Sequence, residues 1–248
     1  MRLNGHRLIE TLFKRRPERI AICAGLTSRS EADSDRSDIG VFETGLSAQQ
    51  SGDYKQSTGI AAQEAESARL IAVAKAHGLY IEKAEWEYYG DRKRLPSGES
   101  VIYLTDDGKA VVKVRNPFVK SVVKRMHAQD AIYEHLIHNI MFPNTRYTFR
   151  GISESSDGVR IVLTQKYIPD IFTIPTQDMI DQYLIDGLGL AEEDRFYYGN
   201  DYVSVTDVFA DGDNVLVDGG KLYFIDPIIK FKRPAAEVLE HYYELLND

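Results

Sequence analysis

The 248-residue chain is 43% hydrophobic and 10% aromatic, enough to bury one sizeable core. Its formal net charge of -8 argues against a general nucleic-acid binder, which shows a basic excess to meet phosphates. A lone cysteine, Cys23, excludes an internal disulfide framework and a CxxC zinc site; with no membrane-length apolar run and no apolar signal core, the expectation is a soluble, cytoplasmic protein.

Residues 1–25 carry Arg2, Arg7, Lys14, Arg15, Arg16 and Arg19 against Glu10 and Glu18, with Leu8, Ile9, Leu12 and Phe13 as an apolar side. This is either a basic amphipathic segment docking to a membrane surface, nucleic acid or a partner, or an ordinary solvated helix or N-terminal extension. From Leu26 to about Gln63 large apolar side chains are sparse, so residues 1–63 read as a basic segment followed by a polar linker. Residues 64–248 read as the folded domain. A helix is expected over Glu64–His77, stopped by Gly78. Strands follow at 101–104 and 110–114, joined through Asp106-Asp107-Gly108.

Apolar residues from Val119 to Ile140 recur at intervals of three and four, which predicts a long amphipathic helix closed by Pro143. Strands over 147–153 and 159–168 are separated by Asp157-Gly158, and Thr176 is placed to cap a helix reaching Leu188. Runs at 214–217 and 221–225 flank Asp218-Gly219-Gly220, and a last helix takes Pro234–Leu246. Segregated strands with few intervening helices predict an α+β fold.

The chemistry concentrates between Asp207 and Asp226. Asn214 opens a short hairpin and Asp226 follows its second strand, which brings two hard oxygen ligands together as magnesium and nucleotide phosphates require. A strand-end turn before Pro227 is the plainer reading of Asp226. Lys113, within Val111-Val112-Lys113-Val114, points either inward at phosphates or out to solvent. Its helix carboxylate partner is Glu134, with Asp130 one turn earlier as a rival. Leu95–Val101 is a candidate phosphate lid, with Gly98 allowing backbone approach and Ser97 or Ser100 donating hydrogen bonds. Asp207, Asp211 and Asp213 alternate without the closing glutamate of an EF-hand, and His135 and His138 are too few for a zinc site. No Walker A, GxSxG or HExxH sequence occurs.

From about Glu64 to Asp226 the chain resembles the kinase-like domain found in polyvalent proteins of phages and conjugative elements. The residues that carry this are Ala76-His77-Gly78-Leu79-Tyr80-Ile81, Ser97-Gly98-Glu99, Val112-Lys113-Val114, His138–Pro143, and Asn214–Val217 with Tyr223–Asp226. The resemblance implies a minimal bilobal protein-kinase-like fold: an antiparallel small lobe over about 79–168, one long helix, and a reduced helical large lobe over about 169–248. It implies ATP and magnesium, with Gly98 and Ser100 in the phosphate loop, Lys113 on the phosphates, Asn214 and Asp226 on the metal, and backbone around Lys166, Tyr167 and Ile168 at the adenine edge.

A kinase catalytic aspartate precedes the metal asparagine by five residues; here Phe209 takes that place and Asp207 stands seven before Asn214. Three readings follow: a two-residue insertion with Asp207 as base, replacement by Asp211 or Asp213, or a pseudokinase that binds nucleotide or a partner without transfer. The twenty-two residues after Asp226 offer little platform for a folded protein substrate, so the phosphoryl acceptor is left open between a small molecule, the chain itself and a protein.

Overall fold

The computed structural model describes residues 29–47, 60–82, 94–95, 100–120, 123–124, 127–156, 158–169 and 174–246. Among these the fold is mixed α/β with antiparallel sheets and five α-helices. The basic segment 1–25, Gly98 and the rest of 96–99 lie outside the described residues.

A five-stranded sheet has the order β1-β2-β3-β7-β6, from Arg94–Leu95, Ser100–Leu104, Ala110–Arg115, Gly158–Lys166 and Tyr147–Ser155. All its neighbours are antiparallel. The expected turn between β2 and β3 is present, with Gly108 at φ +66°. Alternation along β3 divides the sheet. Val112 and Val114 pack with Tyr103 and Val162 on one side, while Lys113 and Arg115 face the other.

That second face meets α3, Ala128–Met141, whose residues are buried from Ala131 onward. The helix expected from Val119 therefore starts nine residues late. Val119–Lys120 and Val123–Lys124 form a small antiparallel pair instead, β4 and β5, as β-branched residues favour extended backbone. Neighbouring α2, Ile60–Ala76, ends at Gly78 with φ +69°, the left-handed stop that glycine adopts without strain.

Two further expectations are corrected. Residues 29–47, read as linker, form helix α1; Ala32, Ile39 and Phe42 bury one stripe of it against the core. At spacings of seven and three they share a helical face, so few apolar residues suffice. The region after Thr176 is not mainly helical. It holds α4, Gln177–Asp181, continuing as a π-helical turn to Gly187, and α5, Ala235–Leu245. Between them lies a four-stranded antiparallel sheet ordered β13-β10-β9-β8, from Ile228–Phe231, Val203–Thr206, Tyr197–Gly199 and Ala191–Asp194. A separate hairpin pairs β11, Val215–Asp218, with β12, Lys221–Phe224. Its connection is Gly219-Gly220 at φ +53° and +79°, the positive pair a tight hairpin turn needs. Thr176 caps α4 as expected, accepting from Met179 N at 3.3 Å.

Candidate functional site

The hairpin carries Asn214 and Asp226 at its two open ends. Its register pairs Val215 with Phe224, and Ile225 N donates to Asn214 O at 2.8 Å, which puts Asp226 diagonally across from Asn214. The carbonyl of Ile225 is held by three donors: Lys113 Nζ at 3.3 Å, Tyr147 Oη at 2.9 Å and Gln165 Nε2 at 3.1 Å. One turn of backbone is thus tied to β3, β6 and β7 together, and Asp226 is the next residue along.

Around Asp226 the charges alternate. Its Oδ1 lies 3.9 Å from Lys113 Nζ and 3.9 Å from Arg115 Nη1. Both cations are buried, whereas a third of the Asp226 side chain remains exposed. Lys113 Nζ also donates to Tyr147 Oη at 3.1 Å. Tyr147 is fully enclosed, and burial first, then the adjacent Asp226 charge, pushes its phenol well above its ordinary pKa, so it serves this network as a neutral hydroxyl. Arg115 Nη1 lies 3.3 Å from His135 Nε2. A guanidinium has no acceptor, so the imidazole nitrogen facing it accepts. Sequence reasoning missed Arg115, Tyr147 and Gln165. The signal for Arg115 was present: it stands two residues after Lys113 on one strand, hence on the same face.

The displaced acid falls beside the asparagine. Asp207 Oδ2 accepts from Asn214 Nδ2 at 2.7 Å, and Asp207 is one of two non-glycine residues at positive φ among those described, at +65°. A left-handed aspartate is uncommon, and here it turns the chain out of β10 with its carboxylate directed at Asn214. Phe209 packs within its own loop instead, its ring close to Gly212 and 5.7 Å from the Phe196 ring centroid. Asp211 and Asp213 are exposed.

The other expected positions are placed as follows. Ser100 is buried at the start of β2, directly opposite Arg115. Glu134 is buried in α3, and Lys113 Nζ has the Asp226 carboxylate 3.9 Å away. Lys166 ends β7 exposed, Tyr167 N donates to Lys109 O at 2.8 Å, and Ile168 is buried.

The kinases described as serine/threonine/tyrosine kinases found in polyvalent proteins match residues 63–233, more than half of the chain. This chain belongs to that family. No curated protein and no solved structure matches it. No helix among the described residues is long and apolar enough to cross a membrane. Nor do three His, Cys, Asp or Glu side chains gather among them as a complete metal cage.

Proposed function

We propose that this kinase-family chain is an ATP- and magnesium-dependent phosphotransferase acting on a hydroxyl acceptor. The observation that carries the reading is the single carboxylate of Asp226 held 3.9 Å from two buried cations, on the hairpin that also delivers Asn214 to Asp207. Phosphoryl transfer is mostly positioning and charge stabilisation, and this arrangement supplies both.

The donor set fits magnesium. Asn214 commits its amide nitrogen to Asp207, which leaves the amide oxygen as its ligand atom, and Asp226 adds a partly exposed carboxylate. Two hard oxygens suit an ion that keeps waters and takes its other ligands from phosphates. Bound there, magnesium would offset the charge of the phosphate oxygens.

Lys113 would hold the phosphates, reached through Tyr147 and the Ile225 carbonyl that fix its direction. The adenine edge would meet backbone at Lys166, Tyr167 and Ile168; the Tyr167 amide is already engaged by Lys109, so Ile168 is the favoured contact. Gly98 and Ser100 would close over the phosphates. Glu134 would support the cleft from α3, where its side chain is buried rather than in water. Asp207 would accept the proton of the acceptor hydroxyl as its oxygen bonds to the terminal phosphorus and the bond to the departing diphosphate breaks.

The test is transfer from radiolabelled ATP, with and without magnesium, by the wild type and Asp226→Ala, each checked for fold by circular dichroism. Loss of magnesium-dependent turnover in a folded variant supports the assignment; unchanged turnover overturns it. The seven-residue spacing from Asp207 to Asn214 favours a second reading, a pseudokinase that binds nucleotide or a partner without transfer. It predicts a thermal shift with ATP and magnesium but no labelled product.

A further inference from the structure

We infer that Arg115 is a second phosphate-holding cation, reading the terminal phosphate and so setting a preference for a nucleoside triphosphate over the diphosphate. This rests on the nucleotide reading given above. Arg115 is 4% exposed, yet its Nη2 has no hydrogen-bond partner among the described residues. A buried, unpaired guanidinium donor is costly, and it is tolerated where a ligand completes it. Its other contacts are incomplete as well. Nη1 faces His135 Nε2 at 3.3 Å, and the Asp226 carboxylate at 3.9 Å lies beyond hydrogen-bond length. A planar fork with a spare donor beside one carboxylate is suited to a phosphate oxygen.

The position along β3 assigns which phosphate. The strand pairs Ala110 with Lys166, the end where the proposed adenine edge begins. At about 3.3 Å per residue, Lys113 lies about 10 Å and Arg115 about 17 Å further along the strand, the two sharing one face. A nucleotide lying along that face passes Lys113 first and reaches Arg115 only with its far end. Ser100, directly opposite Arg115 on β2, marks the same end. When a magnesium nucleotide takes up Asp226, the carboxylate that neutralises Arg115 is engaged elsewhere, and the terminal phosphate replaces it.

The test is isothermal titration of the full chain with adenylyl imidodiphosphate, a triphosphate analogue that resists transfer, and with ADP, both with magnesium. Arg115→Met and Arg115→Lys are compared with wild type, and each is melted to confirm folding. The expected result is a loss of about tenfold or more in analogue affinity for Arg115→Met, with ADP weakened by no more than about threefold. Arg115→Lys keeps a charge but not the fork, so it loses the triphosphate preference in part and decides the matter if the methionine variant does not fold. Equal losses for both ligands, or no loss, overturn the inference and leave the nucleotide reading standing. Failure of the wild type to bind either ligand overturns both.

Discussion

Asp226 owes its position to the carbonyl before it. Gln165 Nε2 bridges Thr145 O at 2.7 Å and Ile225 O at 3.1 Å, so Gln165→Leu removes one donor from each of two enclosed carbonyls. We expect a loss of about 1–3 kcal/mol in urea unfolding. Magnesium-dependent nucleotide affinity should weaken as well, because Asp226 is released with its neighbour. Asp207 is different in kind. Asp207→Asn keeps a side chain that can meet Asn214 but removes the proposed base, so transfer should fall by about 100-fold or more while the nucleotide dissociation constant holds within about threefold. Equal transfer rates would make Asp207 a structural turn residue and favour the pseudokinase. Alternation along β3 put Lys113 and Arg115 on one face, but left open from sequence whether that face turned inward or to solvent. What could not be read was their depth: Tyr147, which accepts from Lys113, and Gln165, which shares the Ile225 carbonyl with it, come from strands more than thirty residues away.

At the scale of elements, α3 carries the helix side of the site and begins without a local cap. His127 occupies the N-cap in extended conformation, and its side chain makes no capping bond. Glu66 of α2 does this instead, its Oε1 accepting from Ala128 N at 2.9 Å and Gln129 N at 3.4 Å. A carboxylate is favoured at a helix N-terminus, yet burial raises the pKa of Glu66 more than His127 and the two amides lower it. The sign follows from linkage. A carboxyl whose folded pKa is raised is more protonated folded than unfolded, so its contribution to stability falls as pH rises from the ordinary carboxylate value through the folded one. The difference in melting temperature between wild type and Glu66→Gln should therefore move against the wild type across that window, measured in steps from about pH 4.5 to 7. A flat or opposite trend would mean that the pairing with His127 outweighs burial. Local pattern could not reveal this cap, because its acceptor and the first of its two donors lie sixty-two residues apart in sequence. For the same reason the periodicity from Val119 misled: β-branched residues at three- and four-residue intervals fit a helix, and only the cap shows where it starts.

For the whole molecule, α1 matters most, since it lies outside the family-matched span 63–233 and still reaches the site's support. It is fastened at one side to α5, where Arg36 pairs with Glu240, Arg29 donates to Tyr243 O, and the Tyr243 hydroxyl donates to Ala32 O. On the other side Phe42 meets Phe149 edge-on at 5.5 Å, and Asp35 accepts from Asn139 at 2.7 Å and Arg146 at 2.8 Å. Polar composition concealed this helix, because three buried side chains and one half-buried acid are too few to lift a window average. The small sheet of β8 to β10 and β13 was hidden likewise, its strands no longer than four residues and β8 wholly exposed. Phe42→Ala should cost about 3–5 kcal/mol by denaturant melt, as the side chain is fully enclosed. Asp35→Ala tests something more specific. Asn139, which Asp35 holds, also binds both Tyr147 N and Tyr147 O at 2.7 Å, and the Tyr147 hydroxyl accepts from Lys113. If α1 stabilises the site through that chain of contacts, Asp35→Ala should weaken magnesium–nucleotide affinity by about threefold or more in a variant still folded at the assay temperature. A lower melting temperature with unaltered nucleotide affinity would instead confine α1 to propping the core, and Lys113 would owe its direction to β3, β6 and the hairpin alone.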